Sequence, residues 1–255
     1  MTSEFLGLRG KRAVVTGGSR GVGRATALLL ARAGVHVGIG YLRRRDEAEG
    51  LVAELRELGV KAWASGGDLS REDEVTALFD RAEDAFGGVD IVVGNHGIWP
   101  ARDIALSEMP LEHWQRTIRI NLEGLFLVSR EASRRLADGG RLVLVSSTAA
   151  QRGEAFHGDY AAAKGALVSL VKGLCVELAP RDITVNSVAP GWIETEMSQE
   201  ALEGEGLERA LASIPLRRIA TAEDVAGPIV FLCSALARHV TGEVVNVNGG
   251  AVLPG

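Results

Sequence analysis

The chain has 255 residues, 46% hydrophobic and 24% charged, which is enough apolar content for one large core and excludes an intrinsically disordered protein. A net charge of −5 gives no electrostatic basis for binding nucleic acid or an anionic membrane. No apolar run reaches the roughly 18 residues of a membrane span, residues 1–10 lack the basic-then-apolar order of a secretory leader, and Cys175 and Cys233 both fall in apolar helical patterns as buried reduced thiols would, so a cytoplasmic protein is expected.

Residues 13–15 read as a short buried strand and 20–33 as a helix with apolar side chains at helical spacing. A second strand follows at 35–41, then a helix at 47–58, a strand at 60–65 and a helix at 72–86. The fourth strand is 90–93, and a long helical region covers 111–136. A fifth strand at 141–146, a helix at 160–178, a sixth strand at 183–188, a helix at 222–234 and a strand at 243–247 complete the series. Strands this short and apolar, alternating with helices, predict a mostly parallel seven-stranded sheet covered on both faces. Right-handed crossovers make it a doubly wound, Rossmann-like α/β fold. Residues 194–218 interrupt the alternation and read as an insertion or substrate lid on a single domain spanning residues 1–255.

The first strand runs into Thr16-Gly17-Gly18-Ser19-Arg20-Gly21-Val22-Gly23. Glycines at that junction allow a tight turn, close approach of backbone to a pyrophosphate, and close helix–strand packing. The helix start that follows offers free N–H groups and a partial positive charge. The spacing is Gly-x3-Gly-x-Gly. Asp68, just past the third strand, reads either as an adenine partner or as a helix cap. Asn95, at the end of the fourth strand, reads either as a ligand or as a turn residue.

Tyr160 and Lys164 are four apart on one helix, so they share a face. A phenol with the ordinary pKa of about 10 is a poor base at neutral pH, and a nearby ammonium lowers that value. Ser147, at the end of the fifth strand, can donate a hydrogen bond to the same substrate oxygen. Ser146 is the alternative, since strand alternation turns only one of the two inward.

With Thr16–Gly23, Asp68, Asn95-His96-Gly97, Asn121-Leu122-Glu123-Gly124, Ser147, Tyr160-Ala-Ala-Ala-Lys164 and Pro190-Gly-Trp-Ile-Glu-Thr195 all present and in order, the chain resembles the short-chain dehydrogenase/reductase family over nearly its whole length. The resemblance implies an NAD(P)-dependent oxidoreductase that moves a hydride between a nicotinamide and a carbonyl or secondary alcohol. It implies that Tyr160 is the general acid/base and that Lys164 lowers its pKa and holds the nicotinamide ribose. Ser147 polarises the carbonyl, because the family's serine lies thirteen residues before its tyrosine. Asn121 disturbs its helix and holds a water that links Lys164 to solvent. The implied cofactor contacts are Gly17, Ser19, Arg20, Gly21, Val22 and Gly23 in the loop, then Tyr41 and Arg43, Asp68 and Leu69, Asn95 and Gly97, Tyr160 and Lys164. Pro190, Gly191, Ile193 and Thr195 complete the set, the last two at the carboxamide. No metal is expected. His96 departs from the alanine usual in this turn, and steric tolerance with the ring turned aside is its plainest reading.

Cofactor choice follows from charge. An NAD enzyme of this fold carries Asp or Glu at the end of the second strand, where this chain has Tyr41 followed by Arg43, Arg44 and Arg45. Arg20 and Arg43 converging on the adenosine ribose would hold a 2′-phosphate by charge-assisted bonds, so NADP is expected over NAD. In overall look the chain is similar to 3-oxoacyl-acyl-carrier-protein reductases, which implies a small carbonyl or alcohol substrate, free or carrier-bound. Arg130, Arg134 and Arg135 offer a basic dock for a carrier, while Glu194, Glu196, Glu200, Glu203, Glu205 and Glu208 would repel an acidic one. Trp99 and Trp192 give flat apolar walls or ordinary packing. A sugar, steroid or secondary-alcohol dehydrogenase stays open, as does a non-catalytic nucleotide sensor or scaffold. The resemblance implies a homotetramer built on residues 111–136, 160–178 and 222–247, and the apolar excess of those segments fits helices packed on two sides.

Overall fold

Each short apolar run of the sequence becomes a strand in one sheet. In the computed structural model, which describes residues 3–253, these are β1 (Arg12–Thr16), β2 (His36–Tyr41), β3 (Ala62–Gly66), β4 (Val89–Gly94), β5 (Leu136–Val145), β6 (Thr184–Pro190) and β7 (Val244–Val247). They lie in the order β3-β2-β1-β4-β5-β6-β7, and every pair is parallel. The order reverses between β1 and β4, which makes a crevice at their C-terminal ends, where open α/β sheets bind ligands.

Three long helices pack on each face. One face carries α1 (Gly21–Arg32), α2 (Arg45–Glu57) and, from the C-terminal part of the chain, Ala222–Cys233. The other carries α3 (Glu72–Phe86), Gly124–Arg135 and Gly158–Leu178. Strand pleating sorts the side chains: Ala13 and Val15 join the first core, with Leu30, Leu51 and Ile229, while Val14 joins the second, with Phe79, Val128 and Leu167. Full burial of each Leu, Ile or Phe stabilises the fold by about 1.5–3 kcal/mol.

The expected helix at 111–136 is divided. It consists of α4 (Leu111–Ile118), a π-helical turn (Arg119–Glu123) and α5 (Gly124–Arg135), and Leu136 already opens β5, paired with Val89 ahead of a register shift. A four-residue helix, α6 (Ala149–Arg152), occupies a stretch with no clear period, and α7 (Gly158–Leu178) begins two residues before Tyr160. Residues 194–218 hold a 3₁₀ turn (Glu200–Leu202) and α8 (Glu205–Ser213). Their base is closed by an Ile193–Ala220 bridge, with Glu194 N–H on the Ala220 carbonyl at 2.8 Å. α9 (Ala222–Cys233) starts with a reciprocal cap between Thr221 and Asp224, a signal that stands in the sequence as Thr-x-x-Asp. Cys233 is buried, but Cys175 is only partly so, because α7 turns that side toward solvent. No helix among the described residues is long and apolar enough to cross a membrane.

Candidate active site

The C-terminal ends of β1, β4, β5 and β6 open into a cleft of about 880 Å³. The glycine loop forms its floor. Gly17 has φ of +62°, in the left-handed region that favours glycine. Gly23 does not line the cleft; a Cβ there would lie 2.2 Å from the Gly17 carbonyl oxygen, so its function is to let α1 close on the loop. Asn95 pins the same loop from β4, its Nδ2 donating to the carbonyls of Thr16 and Gly17 at 3.1 Å each. Its side chain is therefore a clamp on the loop and a wall of the cleft together. The Thr16 hydroxyl accepts from the backbone N–H groups of Asn95 and His96 at 3.0 and 3.2 Å and meets His96 Nδ1 at 2.8 Å. The His96 ring is buried against Gly124, and burial, with the positive Lys164 nearby, pushes its pKa down to about 3. It is neutral at physiological pH and serves the turn.

Asn121 sits on the π-helical turn, a feature often found where a functional side chain must be re-aimed. It is fully buried, and its side chain pairs with Ile98 as a strand would: Oδ1 accepts from Ile98 N–H and Nδ2 donates to Ile98 C=O, both at 2.9 Å. A Cβ on Gly97 would fall 2.5 Å from Asn121 Oδ1 and 3.4 Å from Lys164 Nζ, so Gly97, Asn121 and Lys164 meet at one point.

The end of β5 decides between the two serines. Ser146 is turned into the sheet, its hydroxyl donating to the Val188 carbonyl at 3.2 Å and accepting from Ser187 at 2.8 Å. Ser147 faces the cleft and hydrogen-bonds Tyr160, and its hydroxyl also accepts from Ala149 N–H at 3.1 Å, at the start of α6. Lys164 Nζ lies 5.9 Å from the centre of the Tyr160 ring and donates to the Val145 carbonyl at 2.9 Å.

The electrostatics differ from the expectation that Lys164 brings the phenol down. Burial pushes Tyr160 up to about 12; the Ser147 hydrogen bond pulls it back, and the charge of Glu154 adds to the rise. Burial also lowers Lys164 to about 8. Desolvation dominates at Tyr160, while the Lys164 ammonium, 5.9 Å from the ring centre, donates to the Val145 carbonyl. The phenol is thus held protonated, ready to give a proton to an oxygen that becomes basic.

At the adenosine end, Ser19, Arg20, Gly21, Val22, Tyr41, Arg43, Asp68 and Leu69 line the same cleft. Asp68 Oδ1 accepts from Ser70 N–H at 3.0 Å and Ser70 Oγ at 2.7 Å, which lowers its pKa, so one carboxylate oxygen serves the turn before α3. The sequence paired Arg20 with Arg43. Arg43 does line the cleft, but Arg44 is the side chain that shares a partner with Arg20: both donate to one oxygen of Glu196, at 2.7 Å from Arg20 and 2.6 Å from Arg44. Because α2 starts at Arg45, ahead of the expected 47, Arg44 stands at the helix entrance and turns back over the cleft. The charge run of 43–45 carried the signal, without saying which member faces in.

Pro190, Gly191, Ile193 and Thr195 form the opposite lip, and the Thr195 methyl rests over Gly21. At the deep end, Trp99 and Trp192 both line the cleft in a T-shaped pair with ring centres 5.8 Å apart. Trp99 also stacks on His157 at 4.7 Å and donates its indole N–H to Glu154 at 3.1 Å. Glu154 was not singled out by the sequence, since a lone glutamate between strand and helix has no pattern. No group of acidic, His and Cys side chains among the described residues could hold a metal ion.

Comparison with known proteins gives the family. The family model described as enoyl-(acyl carrier protein) reductase matches residues 17–252. The 3-oxoacyl-acyl-carrier-protein reductase of Synechocystis is 39% identical over 244 residues, covering 94% of this chain and 96% of that one. The corresponding reductase of Aquifex aeolicus is 39% identical over 248 residues, covering 95% and 98%. Among solved structures, a short-chain dehydrogenase of Burkholderia cenocepacia in complex with NADP is 37% identical with a TM-score of 0.91, covering 96% of this chain and 98% of that chain. A dehydrogenase/reductase of Sinorhizobium meliloti is 33% identical with a TM-score of 0.93, covering 99% of both. The chain belongs to the short-chain dehydrogenase/reductase family and is an NAD(P)-dependent oxidoreductase.

Proposed function

We propose that the protein is an NADP(H)-dependent reductase of a 3-oxoacyl thioester or a similar ketone, with Tyr160 as the proton donor. The observation that carries this reading is the half-buried, protonated Tyr160 hydrogen-bonded to Ser147 in the same cleft that ends, at its adenosine side, in Arg20, Arg43 and Arg44 with no carboxylate at position 41. The glycine cradle fits a dinucleotide, since a side chain on Gly17 or Gly23 would collide with the loop and its neighbours. Gly17, Ser19, Gly21, Val22, Asn95 and Gly97 would hold it along the floor, and Pro190, Gly191, Ile193 and Thr195 along the lip. A bound nicotinamide supplies or takes the hydride.

The protein's own groups do the rest. Ser147 donates a hydrogen bond to the carbonyl oxygen, and Tyr160 gives that oxygen its proton as negative charge builds. Lys164, anchored on Val145 and facing Gly97 and Asn121, places a positive charge beside the phenol, which stabilises the tyrosinate left behind. Residues 194–218 close over the cleft as a lid, and residues 1–255 act as one catalytic unit. The relatives' names support the thioester, and the neighbour bound to NADP supports the cofactor.

A carrier dock on α5 has little support. Arg130 is paired with Glu72 at 2.6 Å, Arg134 with Glu131 at 2.8 Å, and Arg135 with both Asp80 and Glu131, which leaves no surplus of positive charge there. The tryptophan walls would also suit a ring, so sugar and steroid alcohols belong in the same assay. The test is a turnover screen with NADPH and NADH across 3-oxoacyl thioesters, ketones and alcohols. The reading requires NADPH oxidation with a thioester or ketone, at a kcat/KM about tenfold or more above that with NADH. Equal use of NADH, or turnover of ring alcohols alone, contradicts it.

We further infer a cytoplasmic homotetramer. The groove lined by Leu122, Phe126, Leu170 and Leu174 between α5 and α7, with Phe126 46% exposed, supports packing of these helices on a second copy. Light scattering that returns the monomer mass of 26.9 kDa contradicts it.

A further inference from the structure

One oxygen of Glu196 receives both Arg20 and Arg44, the two guanidiniums at the adenosine end that come from different elements. Arg44 is also paired with Glu47 at 3.0 Å, so the two cations are balanced by two carboxylates within the chain. Glu196 stands one residue after Thr195, whose methyl rests over Gly21 of the glycine loop. The base of the segment is fixed by the Ile193–Ala220 bridge. The Glu196 carboxylate therefore fastens the lid across the nucleotide floor at a second point, using the charges that the NADP(H) reading gives to the 2′-phosphate.

On that reading, we propose that Glu196 is a built-in competitor of the 2′-phosphate: the phosphate takes Arg20 and Arg44 from Glu196 and unfastens the lid at its adenosine side. A phosphate dianion offers more charge and more acceptor oxygens than one carboxylate oxygen, so it wins the exchange. A nucleotide with a 2′-hydroxyl has no anion to offer, and Glu196 then keeps both arginines. The lid residue thereby contributes to cofactor choice: it sets a cost on 2′-phosphate binding that is recovered as lid mobility, while leaving the 2′-hydroxyl nucleotide with a fastened lid.

The probes are adenosine 2′,5′-bisphosphate and adenosine 5′-phosphate, which differ only in the 2′-phosphate and reach neither Tyr160 nor the nicotinamide pocket. Affinities are measured by calorimetry for the parent, Glu196→Gln and Glu196→Ala, and amide hydrogen exchange is followed across residues 195–209. Both variants are expected to bind the bisphosphate about three- to tenfold more tightly than the parent, the range set by two exposed ion pairs, and to bind the monophosphate within about twofold. In the parent, the bisphosphate should speed exchange across 195–209 and the monophosphate should not. Unchanged or weaker bisphosphate binding in both variants, or slower exchange with bisphosphate, overturns the proposal while leaving NADP(H) preference intact. If the parent does not distinguish the two nucleotides, the NADP(H) reading itself fails and the proposal falls with it.

Discussion

The wall of the cleft formed by Thr16–Gly23, residues 95–99 and the π turn at Asn121 is held by buried or half-buried hydrogen bonds, among them four from Asn95 and Asn121 side chains. The facing wall, residues 194–218, is held over the nucleotide floor by ion pairs from Glu196 whose partners are about half exposed, and elsewhere by the Ile193–Ala220 bridge, by Leu216 N–H on the Gly249 carbonyl at 3.1 Å and by the buried Ala210 and Ile214. Breaking a bond of the first kind leaves a polar group unpaired at about 1–3 kcal/mol, whereas an exposed ion pair is worth about 0–1 kcal/mol. The groups that must not move, Tyr160, Lys164 and Ser147, lie against the stiff wall. The residues that must let a nucleotide in lie on the soft one. Precision and access are assigned to different parts of the chain.

Four substitutions sharpen that contrast, taken from the largest expected effect. Gly23→Ala drives a methyl into the Gly17 carbonyl and should destabilise the fold by about 3 kcal/mol, the upper end of overpacking costs, with loss of adenine-nucleotide binding; urea unfolding and calorimetry measure both. Asn121→Ala removes two hydrogen bonds to Ile98 and should cost about 2 kcal/mol, at about 1 kcal/mol for each, read as a lower midpoint in the same urea titration.

His96 gives the stiff wall a pH signature. Its folded pKa of about 3 lies below the ordinary 6.5, so the unfolded chain binds the extra proton between those values. Stability is then full above pH 6.5 and is lost as pH falls toward 3, by up to about 1.4 kcal/mol per pH unit. His96→Ala should flatten that slope relative to the parent, and parallel slopes would count against a buried neutral ring. At the bottom of the scale, Glu196→Gln should change global stability by less than about 0.5 kcal/mol, since a surface ion pair contributes little. A larger loss would mean that the soft wall is not soft.

The sheet was legible because its strands are short, apolar and separated by helices of clear period, and seven motifs in order placed the glycine floor, the cluster of Asn121, Ser147, Tyr160 and Lys164, and the Pro190–Thr195 lip. Four features were not legible from the residue pattern. Residues 111–136 keep a helical period throughout, so nothing marks the π turn except Asn121 itself. Strand alternation left Ser146 and Ser147 open, and only the spacing to Tyr160 given by the resemblance picked Ser147; the register of β5 against β6 shows why, since Ser146 pairs inward with Ser187 and Val188. Arg44 was hidden among three arginines because the start of α2 was misplaced by two residues, which at about 100° per residue turns a side chain to another face. The phenol's high pKa was also unreadable, because burial is a tertiary property and it outweighs the neighbouring charge.

The central claim is that Tyr160 gives the proton while the rest of the cleft binds. Turnover of a 3-oxoacyl thioester with NADPH, measured for the parent and Tyr160→Phe alongside NADPH affinity by fluorescence, tests it directly. The account requires turnover to fall by about 10²- to 10⁴-fold, the usual contribution of a positioned acid, while the NADPH Kd stays within about twofold. Ordinary turnover by Tyr160→Phe, or a loss that tracks a matching loss of NADPH binding, would contradict it.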